Sequence, residues 1–218
     1  MKKLAIIVPE RDRAEHMKIF VPFMQDLLDK EDIDYRILIV TQDDTKPFNR
    51  AKLLNIGFDL AKDCDCFAFH DIDMLPVDSD YSCVDGPTHL ATMVEQFGYA
   101  LPYDGYFGGV TLFDKSSFEK INGYSNEYWG WGAEDDDVLH RCNIMGIETF
   151  RKGCKYRSLD HERKIEQAPY HDNLRKLNLF HQNSNAAYIS KDGLSTLKYE
   201  KTGETKLSKV TTVIKVKI

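Results

Sequence analysis

Short apolar runs alternating with stretches of helical periodicity govern how the first third of this chain can fold. Residues 4–8, Leu-Ala-Ile-Ile-Val, are wholly apolar and stop at Pro9, the pattern of a strand covered on both faces. Over residues 15–28, Met17, Phe20, Val21, Phe23, Met24, Leu27 and Leu28 recur at helical spacing, with a kink expected at Pro22. Residues 35–40 read as a second strand, 49–62 as a second helix with Leu53, Leu54, Ile56, Leu60 and Ala61 inward, and 66–69 as a third strand. Strand, helix, strand, helix, strand opens a doubly wound α/β sheet flanked by helices. Ligands of such sheets sit beyond the carboxyl ends of the strands. Three loops should therefore share one crevice: residues 9–13, residues 42–50, and Asp71-Ile72-Asp73.

The remainder is less regular. A helix is expected over residues 89–97, a strand over 109–113, and a short helix over 115–121 closed by Asn122-Gly123. A helix over 134–145 should end at Gly146, followed by a brief strand at 147–150 and a helix over 171–180. Residues 210–218 alternate apolar and polar positions with lysines interposed, the pattern of an edge strand. A chain of 218 residues is expected to form one domain.

Composition excludes some partners. A net charge of −6, with no block of lysine or arginine, argues against nucleic acid. No apolar run approaches the roughly 18–20 residues of a membrane span. Cys64, Cys66, Cys83, Cys142 and Cys154 make no paired C-x-x-C motif, and their odd number suits a reduced compartment, with buried and inert thiols the expectation.

Chemistry concentrates in residues 128–137, Tyr-Trp-Gly-Trp-Gly-Ala-Glu-Asp-Asp-Asp, which contain both tryptophans of the chain. Glycines beside large rings let the backbone present a flat face to a ligand, and a ring beside carboxylates suits a sugar. Helix-dipole compensation alone would also favour acids at this helix start. The Asp71-Ile72-Asp73 triplet, past a buried strand, can place one carboxylate on a metal and the other on a ribose or the metal's water shell, although acids in such places also simply form turns.

These motifs, in order, resemble the β-1,4-galactosyltransferase family. The resemblance runs through residues 4–9 with Arg11, Arg13, Glu15 and His16; residues 48–55, Phe-Asn-Arg-Ala-Lys-Leu-Leu-Asn; Asp71-Ile72-Asp73; Tyr106-Phe107-Gly108-Gly109-Val110; Asn122-Gly123; residues 129–137; and Asp192-Gly193-Leu194-Ser195. It implies a GT-A type, Rossmann-like fold. Residues 1–113 would form a nucleotide-sugar-binding half, and 114–218 an acceptor-binding and metal-completing half. The implied reaction moves galactose from UDP-galactose, with inversion, to a hydroxyl of an oligosaccharide or glycolipid acceptor, O4 of β-linked GlcNAc being the family prior. Pro9, Arg11, Arg13, Phe48, Arg50, Asp71, Tyr106, Gly109 and Trp131 would bind the donor. Tyr128, Trp131, Asp135 and Asp136 would bind the acceptor, with Asp135 as general base and Glu134 ordering the site. Asp73 and His161 would hold Mn²⁺, or less suitably Mg²⁺, and Asp137 would serve only the helix start. Tyr103 reads as structural, and His70, His89, His140, His171 and His181 receive no role.

The chain also departs from the family pattern. Ser158 and Leu159 stand where a further metal ligand is usual, leaving Ser158 or Asp160 to complete the set; Glu10 replaces an aromatic beside the uracil, and Gln96 a common lysine. Cys66 and Cys83 lie near a disulfide of Golgi members, which would form only in an oxidising compartment. The expectation drawn here is a cytoplasmic bacterial or viral enzyme, peripheral association with a membrane being compatible, against the alternative of a trimmed Golgi luminal domain. A transferase using UDP-GalNAc or UDP-glucose, and a non-catalytic sugar-binding protein, are the competing readings.

Overall fold

A computed structural model describes residues 2–31, 33–160, 167–183 and 185–218. In chain order the elements are β1 (Lys3–Glu10), α1 (Ala14–Leu28), β2 (Asp34–Gln42), α2 (Arg50–Leu60), β3 (Cys66–His70), β4 (Met74–Pro76), β5 (Thr88–His89), β6 (Met93–Val94), β7 (Val110–Asp114), α3 (Lys115–Lys120), α4 (Glu134–Ile144), β8 (Phe150–Arg151), β9 (Lys155–Ser158), α5 (Gln167–Gln182), α6 (Ala186–Ile189), β10 (Glu200–Lys206) and β11 (Thr211–Lys217). Strand order in the main sheet is β10-β11-β2-β1-β3-β7-β5-β8, and β4-β9-β6 form a small second sheet. The expected parallel start is present, with β1 pairing in parallel with β2 and β3. At β7 the direction reverses, because it pairs antiparallel with β3.

Side chains of a strand alternate between faces, so β1 divides its residues between two cores. Leu4, Ile6 and Val8 pack with Phe20, Met24 and Leu28 of α1 on one face. Ala5 and Ile7 pack with Leu53, Leu54 and Phe58 of α2, and with Phe118 and Val138, on the other. Gly57 lets α2 approach the sheet, since a Cβ there would occupy the space of the Ile7 side chain. Burying one such aliphatic side chain contributes about 1.5–3 kcal/mol. α1 runs through Pro22 without interruption.

Three expected elements differ. Residues 89–97 form two short strands and one 3-10 turn, Glu95–Phe97, closed by left-handed Gly98. Pairing of Thr88 and His89 with β7 and β8, and of Met93 and Val94 with β9, takes the backbone bonds that a helix would have used. The C-terminal strand β11 is internal: it lies between β10 and β2, parallel to β2, and buries Val213, Ile214 and Val216. The edge belongs to β10, whose polar sequence Glu-Lys-Thr-Gly-Glu-Thr-Lys hides it from periodicity. The brief strand expected over 147–150 begins only at Phe150.

Two of the cysteines expected as free thiols are paired. Cys66 and Cys83 form a disulfide with their Cα atoms 5.7 Å apart, tying β3 to the segment before β5, while Cys64, Cys142 and Cys154 are free and buried. Among the described residues no helix is long and apolar enough to cross a membrane.

Candidate active site

The crevice is assembled around one guanidinium. Asn49 caps α2 by accepting from the backbone N–H of Lys52 and also donates to the carbonyl of Asn126, which sets Arg50 at the first helical position. Arg50 Nε donates to Asp71 Oδ1 at 2.6 Å, Nη1 donates to Asp135 Oδ1 at 2.8 Å, and Glu134 Oε1 lies 3.6 Å away. Burial alone would lower the Arg50 pKa, but Asp135, Asp71 and Glu134 outweigh it and hold the guanidinium charged. The expected donor-loop arginine is thus committed to three carboxylates in this structure, and it joins the Asp-x-Asp loop to the acidic helix.

Asp135 sits in the least favourable surroundings for a charge. Burial first, then the charges of Glu134, Asp71 and Asp136, push its carboxyl well above the usual range against the opposing pull of Arg50. Glu134 is shifted in the same direction, again mainly by burial. A Cβ on Gly108 would collide with the Asp135 carboxylate and the Tyr106 ring, so only glycine allows this approach. Tyr106 packs edge-on against His89, Phe97 and Tyr103, and burial drives its hydroxyl pKa sharply upward. Gly109, at φ +77°, accepts at its carbonyl from the Asp71 N–H at 2.9 Å.

The Asp-x-Asp loop has support behind it that sequence reasoning assigned to no residue. His70 is fully buried: one ring nitrogen is 2.8 Å from the Asp71 carbonyl and the other 2.8 Å from the Tyr81 hydroxyl, itself 3.2 Å from that of Tyr156. Burial lowers the His70 pKa to about 4, so the ring is neutral; Nδ1–H donates to Asp71 and Nε2 accepts from Tyr81. Across the loop, the Leu159 N–H donates to the Asp73 carbonyl at 2.7 Å, and pairing of Met74 with Ser158 brings the end of β9 beside Asp73.

This juxtaposition bears on metal binding. His161 lies outside the described residues, and among those described no group of three or more His, Cys, Asp or Glu forms a metal cluster. Ser158 Oγ, however, is buried with no hydrogen-bond partner among the described residues, and Asp160 is exposed. An orphaned hydroxyl beside the Asp73 loop fits an additional oxygen ligand for a hard or borderline divalent cation.

The donor-side loops meet the tryptophan segment. Glu10 is buried, and its carboxylate accepts from the Arg13 N–H at 2.8 Å and the Thr41 hydroxyl at 2.7 Å, so it organises the loop after β1. Arg11 lies over the Phe48 ring at 5.4 Å and donates to the Lys46 carbonyl. The Phe48 carbonyl in turn accepts from the Gly130 N–H at 2.7 Å. Gly130 and Gly132 have φ of +75° and +98°, and Pro169 and Tyr170 of α5 lie against them. Asn173 holds the carbonyls of Trp129 and Trp131, leaving the Trp131 ring 50% exposed beside Tyr170. At the rim, Tyr103 donates to Asp136 at 2.8 Å, a contact that its reading as structural did not anticipate.

Two expected roles need correction. Tyr128 is not presented to the crevice: it is 4% exposed and its hydroxyl donates to Asp137 at 3.0 Å. Asp137 does more than compensate a helix dipole. It is buried and receives Arg141 Nε at 2.6 Å, while Arg141 also donates to the carbonyls of Gly123 and Asp192. The Asp192 carboxylate accepts from Ser125 and from the Asn126 N–H. The late Asp-Gly-Leu-Ser motif thus locks the acidic helix to the Asn122-Gly123 turn.

Comparison with known proteins identifies this arrangement. Residues 1–84 match the N-terminal region of glycosyl transferase group 7, and residues 88–164 match a family described as the N-terminal domain of galactosyltransferase. The catalytic domain of Drosophila β1,4-galactosyltransferase 7, solved with xylobiose, is 30% identical and superposes with a TM-score of 0.84, covering 100% of this chain and 94% of that one. This chain belongs to the β-1,4-galactosyltransferase family.

A mutant of the same Drosophila protein, solved with manganese, UDP-Gal and xylobiose, gives a TM-score of 0.77 at 28% identity over 100% of this chain and 94% of that one. Human β-1,4-galactosyltransferase 2 is 37% identical over 90% of this chain and 54% of its own length, and bovine β-1,4-galactosyltransferase 1 is 41% identical over 77% and 44%. The chain spans about half the length of the curated relatives it matches. Its mixed sheet flanked by helices is the GT-A fold expected from the family. The expectation of a cytoplasmic bacterial or viral enzyme is overturned: the relatives are animal proteins of the Golgi luminal type. The Cys66–Cys83 bond agrees with that correction, since such bonds persist in oxidising compartments.

Proposed function

We propose that this chain transfers galactose from UDP-galactose to a sugar hydroxyl with inversion. The observation that carries this reading is the convergence of Asp71 and Asp135 on Arg50, which sets an Asp-x-Asp loop against a half-buried carboxylate across one crevice. Residues 1–113 supply the donor loops and 114–218 the acceptor face. Asp73 and His161, with Ser158 Oγ or Asp160 completing the set, would hold a divalent cation, Mn²⁺ by preference. When bound, the ion neutralises the charge that builds on the departing diphosphate.

The chain's own groups account for the rest. Pro9, Arg11, Arg13 and Phe48 border the nucleotide, and Asp71, Tyr106 and Gly109 border the sugar. Arg50 holds Asp71 and Asp135 at fixed separation, so the donor-side acid and the base keep their positions before substrate arrives. Asp135 accepts the acceptor's hydroxyl proton as its oxygen attacks the anomeric carbon. A carboxyl pushed up by burial is a stronger base than one in water, and general-base catalysis of this kind contributes ~10²–10⁴-fold. Glu134 and Asp136 orient the acceptor, and the exposed Trp131 ring supports its apolar face. One displacement inverts the anomeric centre.

The acceptor assigned from the family is β-linked GlcNAc, with xylose as its rival because the Drosophila neighbour binds xylobiose. A panel of GlcNAc, xylose and glucose acceptors with UDP-galactose and Mn²⁺, followed by UDP release and NMR of the product linkage, tests the proposal. Mn²⁺-dependent transfer that disappears with EDTA is expected. Absence of UDP release with every acceptor would remove it.

A further inference from the structure

His89 is fully buried at the end of β5, and the reaction as described makes no use of it. Its backbone is fixed from two sides: the Lys152 N–H donates to its carbonyl at 3.0 Å, and the next N–H, of Leu90, donates to the Val110 carbonyl at 2.9 Å. From this anchored position Nε2 lies 2.9 Å from the Gly108 carbonyl. Only a protonated Nε2 can bond a carbonyl, so the ring is the Nε2–H tautomer. Nδ1 is buried without a partner among the described residues, which leaves Nε2–H as the polar contact that the ring makes. The ring also packs edge-on to Tyr106 at 5.3 Å and tilted on Phe107 at 5.4 Å.

The peptide that His89 grips lies against Asp135, Tyr106 and Asp71. Gly108 leaves no room for a side chain between itself, the Asp135 carboxylate and Tyr106, and the carbonyl of Gly109 accepts from the N–H of Asp71. In a trans peptide the C=O and the following N–H point in opposite directions. A Gly108 carbonyl turned toward His89 therefore turns the Gly109 N–H away from it. The Gly108 carbonyl also accepts from the Val110 N–H at 3.0 Å, and His89 adds the side-chain bond to a plane that two successive glycines leave without side-chain support of their own. We propose that His89 is a positioning residue for donor binding, fixing the Gly108–Gly109 peptide so that its N–H faces the donor sugar and bracing the Tyr106 ring that limits space beside that sugar. The inference rests on the donor reading above. Burial keeps the ring neutral, lowering the His89 pKa to about 4, and the Nε2–H tautomer retains the donor that the carbonyl needs.

The test is calorimetric binding of UDP-galactose and UDP-GalNAc with Mn²⁺, which does not depend on turnover, for the unsubstituted chain and for His89→Gln, His89→Asn and His89→Leu. Glutamine places an amide N–H near the position of Nε2; asparagine is too short and leucine has no donor. Loss of one buried hydrogen bond weakens UDP-galactose binding by about tenfold. That loss is expected for Leu and Asn, together with a donor preference drifting toward UDP-GalNAc, while Gln stays within about twofold of the unsubstituted chain. Thermal unfolding and circular dichroism identify any variant that fails to fold, and the Gln–Asn pair decides the matter where Leu does not fold. Unchanged affinity and donor preference in folded Asn and Leu variants would overturn the proposal, as would a Gln variant as weak as Leu. An unsubstituted chain that binds no UDP-galactose overturns the donor reading and this one together, whereas normal binding with indifferent variants overturns this one alone.

Discussion

Asp135 and Asp137 stand two residues apart on the same helix, each bonded to an arginine and each pushed above its ordinary pKa mainly by burial, yet the Asp135 side chain is 21% exposed at the crevice, that of Asp137 only 4%, and their hydrogen-bond surroundings differ. Asp137 has Arg141 on one oxygen and the Tyr128 hydroxyl on the other, and Arg141 satisfies its remaining donors on the Gly123 and Asp192 carbonyls. Such a closed network aligns the helix and offers nothing to a substrate. Asp135 shares Arg50 with Asp71 and Glu134, so three acids compete for one guanidinium. An excess of partly buried negative charge suits the proposed cation-dependent site with a base, and it stabilises the fold less than a matched pair would. In the proposed reaction, two neighbouring acids would thus divide the work of catalysis and of structure by what surrounds them.

Four substitutions or measurements break or sharpen that comparison. Asp135→Asn should have the largest effect, lowering kcat by ~10²–10⁴-fold while UDP-galactose binding persists. Normal turnover in this variant would show that Asp135 is not the base. The same change should leave the unfolding temperature unchanged or raised. A carboxyl whose folded pKa is raised contributes stability below its unfolded value, and that contribution is lost as pH rises through the folded one. At neutral pH the charge is therefore a burden, which asparagine removes.

Arg141→Met should do the reverse. Breaking a buried pair costs about 3–5 kcal/mol, and urea unfolding should record that loss while the folded fraction keeps its kcat. A variant of full stability would show that the Asp137 network is dispensable. Next in size is Tyr106→Leu, which opens the space beside the sugar. Transfer from UDP-GalNAc relative to UDP-galactose should rise by ~10–200-fold, and an unchanged ratio in a two-donor assay would break the assignment.

The smallest effect concerns pH. Since burial and like charges raise the Asp135 pKa, kcat should be lost, as pH falls, through a midpoint above the ordinary carboxylate range. Asp137→Asn should leave that midpoint in place, and a shift equal to that produced by Glu134→Gln would show that the two regions are not electrostatically separate.

Much of this was legible because the chemistry lies at strand ends. The apolar runs of β1, β2 and β3 located three loops by period alone, and Asp71, Arg50 and Asp135 do meet at one point. Other features left no trace in local pattern. The helical periodicity of 89–97 was real, but pairing of His89 with β7 and β8 and of Met93 and Val94 with β9 outweighed it. Tyr128 looked available because aromatic residues beside glycines often are; its burial depends on Leu177, from a helix some fifty residues away. The bond of His89 to Gly108 spans nineteen positions, and its sequence neighbours give no sign of it.

By itself the sequence determined the α/β class, the parallel order at the start of the sheet, the family, and which short motifs would meet around one crevice. Those properties follow from local periodicity and from residue types that few other functions need together. Tertiary structure decided which acid of residues 134–137 would lie open at the crevice beside Arg50 and which would be a strut bonded to Arg141. It also decided that Arg50 would serve carboxylates and that β11 would be an inner strand. The physical reason is that the ionisation and accessibility of a group depend on the charges and covering atoms around it, and here those arrive from elements distant in the chain.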